Sequence, residues 1–112
     1  MNTYVEINGN YYPAIITGKN NDSTWNNRAS KEIRLEMNYN DAISIFTNDI
    51  KWNIVQEREE TIEEETIIVK DIYDNSEYSI AGDIIDHRDG TISIKMGKPT
   101  AEELLAMLEE VL

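Results

Sequence analysis

The 112-residue chain has no cysteine, one histidine, two prolines and five glycines. The absence of cysteine excludes disulfide scaffolds, thiol catalysis and cysteine-based zinc sites. No run of about 18 apolar residues occurs, which excludes a transmembrane helix. The first ten residues lack a basic start and an apolar stretch, so we expect no signal peptide and a cytoplasmic location. The length and the 40% of hydrophobic residues predict one globular domain, residues 1–112.

Basic residues are scarce as well, with ten lysines and arginines against 22 aspartates and glutamates, a net charge of −12. Residues 1–56 hold six acids and five bases, whereas residues 57–112 hold 16 acids and five bases. Binding to nucleic acid or to an anionic membrane needs a basic surface, so neither is expected. The densest acidic stretch, residues 57–86, is either a solvated loop or a surface that attracts a basic protein partner.

Alternation of apolar residues and turn signals predict about seven strands. Asn8-Gly9 predicts a hairpin turn between strands at 4–7 and 11–17, and Pro13 predicts that the second of these is an edge or bulged strand. Residues 18–27 are polar and predict a loop. Further strands are predicted at 32–37, 49–56, 66–69, 77–85 (with a bulge at Gly82) and 91–96, with turns at 74–76 and 88–90. The glutamate-rich residues 57–65 predict a hairpin tip or a long ribbon loop.

Two helices are predicted. Asp41 is the expected N-cap of a short helix that runs through Phe46. Thr100 and Glu103 form a capping-box pattern that opens a C-terminal helix over residues 100–112. Its apolar stripe consists of Ala101, Leu104, Leu105, Leu108, Val111 and Leu112. A helix of about 12 residues is marginal alone, so we expect it to dock on its own sheet or, as the alternative, on a partner helix.

The predicted fold class is therefore α+β. We expect a mostly antiparallel, twisted sheet or a small barrel of about seven strands, one short internal helix and a C-terminal helix that covers one face or opening.

Residue patterns give little support for catalysis or metal binding. Asp89-Gly90 is similar to the middle of a calcium loop, but the spacing places no ligands at the other required positions. Asp71, Asp74 and Glu77 offer oxygen ligands without a defined loop, and His87 stands alone. No glycine-rich phosphate loop or nucleophile motif occurs. We expect no enzyme activity, no cofactor and no metal, and a small metal-binding protein or enzyme is the third alternative.

Trp25 and Arg28 lie in the polar segment and allow two interpretations. A tryptophan folded back over the edge of the core is the ordinary case. The alternative is an exposed Trp–Arg anchor, because these residue types dominate binding hot spots. The candidate partner-binding residues are Glu57, Glu59, Glu60, Glu63, Glu64, Glu65, Asp71, Asp74 and Glu77, together with Trp25 and Arg28.

Four blocks carry a resemblance: WNNRASK (25–31), DNSEYSIAGD (74–83), DHRDGT (86–91) and MGKPTAEEL (96–104). Through them the chain resembles small proteins encoded in prophages and mobile elements of Gram-positive gut bacteria. The resemblance covers most of the chain apart from the glutamate-rich segment. It implies a phage setting and assigns no residue a role.

In that setting, the acidic segment predicts an inhibitor of a host nucleic-acid-directed enzyme, similar to anti-CRISPR proteins in size and charge. Its carboxylates would stand where phosphates bind, and its partner would be a basic protein such as a CRISPR effector nuclease. The alternative is a tail or baseplate component, or an assembly factor, found in the virion rather than in the host cytoplasm. The sequence leaves the oligomeric state open.

Overall fold

The structure, a computed structural model, describes residues 2–111 and the side chains of residues 2–110. Seven strands and two helices follow one another in the order β1 (Thr3–Ile7), β2 (Asn10–Asp22), β3 (Arg28–Glu36), α1 (Tyr39–Ile45), β4 (Asn53–Ile62), β5 (Glu65–Asp74), β6 (Ile80–Asp86), β7 (Thr91–Gly97) and α2 (Ala101–Val111). The strands form one antiparallel sheet in the order β5-β4-β1-β2-β3-β7-β6. The predicted α+β class is confirmed, and the sheet is open, with β5 and β6 at its edges.

The first hairpin forms where the sequence predicts it. Asn8 and Gly9 both have positive φ, at 53° and 83°, as a two-residue hairpin turn requires. The prediction of an edge or bulged strand at Pro13 is wrong, because β2 lies in the middle of the sheet and runs through Asp22. Pro13 faces Tyr4 of β1, and pairing with β3 starts only at Ala14, so the missing N–H of Pro13 is not needed by either neighbour.

The short helix α1 starts earlier than predicted. Its N-cap is Asn38, whose Oδ1 accepts the backbone N–H of Asp41 at 2.8 Å. Asn38 Nδ2 donates in turn to the Asp41 carboxylate at 2.9 Å. Asp41 is therefore the third residue of the helix and the reciprocal partner of the cap, rather than the cap itself.

The core lies on one face of the sheet beneath α1. Ala42 and Phe46 bring the helix onto this face, and Trp52 enters it from the segment before β4. The buried apolar residues that the strands contribute to this core are Val5, Ile7, Ile33, Leu35, Ile54, Ile92, Ile94 and Met96. Their positions follow the predicted alternation, most clearly in β7.

The C-terminal helix forms but does not dock. Thr100 Oγ1 accepts the Glu103 N–H at 3.2 Å and Glu103 Oε1 accepts the Thr100 N–H at 2.8 Å, which confirms the capping box. The prediction that α2 covers its own sheet is wrong: Leu104, Leu105 and Leu108 are 48%, 59% and 60% exposed. Leu112 lies outside the described residues, and the Val111 side chain is not described.

Candidate functional site: an acidic hairpin that leaves the sheet

Strands β4 and β5 continue well past their neighbour β1. The pairing of β4 with β1 ends at Gln56 opposite Thr3, followed by one hydrogen bond from the Glu57 N–H to the Asn2 carbonyl at 2.9 Å. Beyond this point β4 pairs only with β5. We call residues 57–70 the acidic hairpin. Six residues of β4 at about 3.3 Å each carry it roughly 20 Å beyond the sheet. The predicted 49–56 strand is therefore shifted and lengthened, because backbone pairing does not require apolar side chains.

The outer part of the hairpin has an unusual composition. Residues 59–68, the hairpin tip, comprise five glutamates, three isoleucines and two threonines, with no base. All ten residues are exposed, with Ile62, Ile67 and Ile68 at 52%, 41% and 66%. Isoleucine side chains at this exposure leave apolar surface that a binding partner would bury.

The strand register places the acids and the isoleucines side by side. Glu59 lies opposite Ile68, Glu60 opposite Ile67, and Glu65 opposite Ile62. The first pair faces one side of the hairpin and the other two face the opposite side, because alternate residues of a strand point in opposite directions. Each face of the tip therefore offers carboxylate beside apolar surface. The isoleucines were missed as candidate site residues, although three of them within an acidic stretch are a visible signal.

The two bases of the hairpin lie at its root and are engaged there. Arg58 Nε is 2.8 Å from Asp71 Oδ2, and Arg58 Nη1 is 3.2 Å from Glu60 Oε2. Lys70 Nζ lies 4.8 Å from the centre of the Tyr11 ring. Glu60 is thus the one tip glutamate that either of these two cations contacts, and Glu59, Glu63, Glu64 and Glu65 are not paired with them.

Several of the candidate partner-binding acids are engaged within the chain. The Glu57 carboxylate beside the Tyr4 hydroxyl raises the pKa of that tyrosine. Asp74 accepts the Ser76 N–H at 2.9 Å, and the hydrogen bonds from Ser76 lower the pKa of Asp74. Glu77 Oε1 is 3.4 Å from Lys98 Nζ. With Asp71 bound to Arg58, the acids without an ion pair among the described residues of the hairpin tip are Glu59, Glu63, Glu64 and Glu65.

The two residues of the turn at the end of the hairpin adopt a backbone conformation that is unfavourable for glutamate. Glu63 and Glu64 have φ values of 49° and 66°, in the left-handed region. The first hairpin of the chain meets the same requirement with Asn8-Gly9, which adopts this region at little cost. The turn at Glu63-Glu64 is therefore strained, whereas the turn at Asn8-Gly9 is not. A strained turn where an unstrained one is possible points to a role for the two glutamates beyond chain reversal.

This strain leads to a prediction. The double variant Glu63→Asn, Glu64→Gly is expected to stabilise the hairpin against local opening by about 1–3 kcal/mol, because left-handed glutamates cost roughly 1–2 kcal/mol each. Amide hydrogen exchange of β4 and β5 measures this stability directly. The same variant is expected to bind a basic partner more weakly. Unchanged exchange rates would show that the turn is not strained.

Trp25 is folded back onto the sheet and half-buried. Its ring lies against the backbone at Gly82 and Gly97, where an added Cβ atom would come within 2.6 Å and 2.8 Å of ring carbons. Arg28 is 4% exposed, and its guanidinium lies 4.6 Å from the centre of the Trp25 ring. This is the folded-back arrangement, and the alternative of an exposed Trp–Arg anchor does not describe it.

Arg28 also holds the start of α2. Its Nη1 and Nη2 atoms donate to Glu103 Oε1 and Oε2 at 2.8 Å and 3.0 Å, and Nη1 donates to the Lys98 carbonyl at 3.1 Å. A bidentate arginine–carboxylate pair fixes geometry as well as charge. The Arg28 guanidinium lowers the pKa of Glu103 from its usual 4.5 to about 2, and the Thr100 N–H acts in the same direction.

The lowered pKa predicts acid sensitivity. A carboxylate whose pKa is lower in the folded than in the unfolded chain stabilises the fold above about pH 4.5, and this stabilisation is lost between pH 4.5 and 2. We expect Glu103→Gln to lower the thermal midpoint at pH 7. The difference in thermal midpoint between this variant and the unsubstituted chain should become smaller as the pH falls to 2. Thermal unfolding followed by circular dichroism at 222 nm measures both midpoints. A difference that stays constant with pH would contradict the role of the Arg28–Glu103 pair.

Other candidate chemistry is sparse among residues 2–111. His87 Nε2 lies 2.7 Å from Ser93 Oγ, but Ser93 is 5% exposed and the pair sits beside a hairpin turn. No group of three metal-ligating side chains occurs in this range. None of the helices described here is long and apolar enough to cross a membrane.

Comparisons of the chain with protein-family models, with curated proteins and with solved structures give no match. The geometry of the acidic hairpin therefore supplies the main argument about function.

Proposed function

We propose that this chain is a non-enzymatic binding protein whose acidic hairpin inserts into a basic groove of a protein partner. The observation that carries the proposal is the hairpin tip, with five glutamates, no base and three exposed isoleucines on a two-stranded arm. Carboxylates on such an arm complement lysine and arginine, and isoleucines add apolar contact area. The partner site expected from this pattern is basic with apolar walls.

The partner class that fits best is an enzyme that acts on nucleic acid. Its substrate groove is basic because it must neutralise phosphates. An arm about 10 Å wide, two strand spacings, can enter such a groove and exclude the nucleic acid. Together with the resemblance to prophage-encoded proteins, this supports an inhibitor that acts in the bacterial cytoplasm, with a CRISPR effector nuclease as the first target to test.

A second candidate is a subunit of a phage tail or baseplate, or an assembly factor for one. The specific observation in its favour is the apolar surface elsewhere: Leu104, Leu105, Met107 and Leu108 of α2 are each 48–60% exposed. Such surface is typical of a chain that is covered by neighbours in an assembly.

An affinity capture experiment separates the two candidates. The tagged chain is mixed with lysate from an induced lysogen that also carries a CRISPR system, and bound proteins are eluted with a salt gradient and identified by mass spectrometry. A variant with lysine at the five tip glutamates is run in parallel as the control.

The inhibitor proposal predicts a nuclease or other nucleic-acid-directed enzyme that elutes at moderate salt and is absent from the lysine variant, because exposed charge pairs are screened by salt. Phage tail proteins held at high salt by both forms of the chain would instead support the second candidate. Recovery of the same enzyme by both forms would contradict a role for the glutamates.

A further inference from the structure

The helix α2 is an unusual element because it is ordered at its start yet unpacked along its length. Its first turn is fixed by the Glu103–Arg28 pair, by the capping box and by the bond from the Lys98 N–H to the Ala29 carbonyl at 2.9 Å. Beyond this turn, Leu104, Leu105, Met107 and Leu108 stay exposed. The helix is therefore presented outward by the sheet rather than lying on it.

The charge of α2 has one sign. It carries glutamate at positions 102, 103, 109 and 110 and no lysine or arginine. Glu103 is taken by Arg28, which leaves three glutamates beside the leucines. A surface that receives this helix must be apolar and carry bases at its rim.

The same chain contains a groove of that kind. Because β1 begins at Thr3, no described strand lies between β4 and β2 beyond the Thr3–Gln56 and Tyr4–Pro13 pairs. This leaves a notch of about 960 Å³ in the sheet. Its apolar lining includes Tyr12, Pro13, Ala14, Ile15, Ile16 and Leu35. The notch is thus an open apolar feature of the described residues.

The notch is lined by more bases than acids, which is opposite to the charge of α2. Lys31 and Arg34 line it against one acid, Glu36, in a chain whose net charge is −12. Arg34 is 46% exposed and shares an exposed pair with Asp89 at 3.2 Å. Ile15, at 70% exposure, is the most exposed of the large apolar side chains. The notch therefore matches α2 in both charge and polarity.

The dimensions allow side chains of a helix to enter. At the closed end of the notch, the axes of β4 and β2 are two strand spacings apart, about 9.6 Å, so the open space is that of one missing strand, about 4.8 Å. An α-helix with its side chains is about 10–12 Å across, so its body lies over the notch while its leucine side chains enter it. Residues as far along β2 as Gly18 line the notch, whereas β4 lines it only up to Gln56.

From these features we propose that α2 docks into the notch of a second copy of this chain, and that the two copies exchange helices across a two-fold axis. The leucines of each helix cover the apolar lining on the face that carries Ile15, and its glutamates approach Arg34, which lies directly opposite Ile15 in the strand pairing. Both complementary surfaces occur on one chain, so a symmetric pair satisfies both at once and doubles the area that one helix buries. The proposal is independent of the acidic hairpin.

The test is a set of molar masses measured by sedimentation equilibrium and light scattering. The unsubstituted chain is expected to show a two-chain mass. The helix variant Leu104→Ser, Leu108→Ser and the notch variant Ile15→Glu are each expected to show a one-chain mass. These side chains are exposed, so the fold should persist, and circular dichroism checks it. Ile85→Ser, at an isoleucine 48% exposed outside the notch, is the matched control and should remain a dimer.

Mixing the two monomeric variants gives the decisive result. The notch variant keeps an intact helix and the helix variant keeps an intact notch, so an equimolar mixture is expected to form a weaker heterodimer through one of the two contacts. A monomeric unsubstituted chain would overturn the proposal, and so would a notch variant that still dimerises, which would indicate pairing between helices. A mixture that stays monomeric would also overturn it. Lysine at the five tip glutamates should leave the dimer intact, so this proposal and the proposed function fail separately.

Discussion

Lysine in place of the five tip glutamates is expected to weaken binding to the basic partner by at least about tenfold and up to about a thousandfold. An exposed ion pair contributes about 0.2–1 kcal/mol, and 1.4 kcal/mol corresponds to a factor of ten in Kd. Reversal adds repulsion to the loss of attraction. The tip residues are exposed and contact no core side chain, so the thermal midpoint should change little. Calorimetry or surface plasmon resonance with the captured partner measures the Kd.

A matched variant separates charge from apolar contact. Serine at Ile62, Ile67 and Ile68 keeps all five glutamates and removes the apolar surface of the tip. We expect this variant to bind more weakly, with the salt dependence of Kd unchanged. The salt dependence of the lysine variant should be reversed, because salt screens the repulsion between its lysines and the basic partner. Full affinity in the serine variant would mean that charge alone governs recognition. Full affinity in the lysine variant would refute the binding role of the hairpin.

Alanine in place of Trp52 is expected to lower the free energy of unfolding by about 3–5 kcal/mol, the usual range for a large buried aromatic side chain. Small domains have only about 5–15 kcal/mol in total, so this variant approaches the limit of folding. Trp52 is 1% exposed, and its indole Nε1 donates to the Tyr78 carbonyl at 3.1 Å. Its backbone also accepts the Asn75 N–H and donates to Ser76 Oγ, so it ties the start of β4 to the segment between β5 and β6.

Urea denaturation followed by circular dichroism checks this effect. Trp52→Phe is the control, since it keeps an aromatic ring in the core but removes the N–H donor and part of the ring volume. We expect Trp52→Phe to lie between the unsubstituted chain and Trp52→Ala. A loss below about 1 kcal/mol in Trp52→Ala would show that this side chain is not central to the core.

Local signals in the sequence predict local structure well in this chain. Asn8-Gly9 forms its turn, Gly90 has the positive φ of 88° expected of its hairpin, and Thr100 with Glu103 caps α2. Each of these features depends on residues within a few positions of one another. The alternation in β7 is equally local and places Ile92 and Ile94 in the core.

Features that depend on distant partners are harder to predict. The position of Trp25 is set by the bare backbone at Gly82 and Gly97, more than 50 residues away along the chain. Pro13 is accepted in a central strand because β1 and β3 pair with different parts of β2. The leucine stripe of α2 predicts burial, but its leucines are exposed in the structure, because the local pattern does not specify what the helix packs against. The same holds for the candidate site. Its glutamates are predicted from the local sequence, whereas the exposure of its isoleucines depends on how far β4 and β5 extend beyond β1.

Competition with nucleic acid tests whether the acidic hairpin occupies the substrate groove of its partner. The complex of this chain with its captured enzyme is titrated with the nucleic-acid substrate of that enzyme, and bound chain is followed by fluorescence anisotropy of a label placed away from the hairpin. We expect mutually exclusive binding, in which substrate displaces the chain and the apparent Kd of the chain rises with substrate concentration. A ternary complex in which the enzyme holds both the chain and its substrate would contradict it.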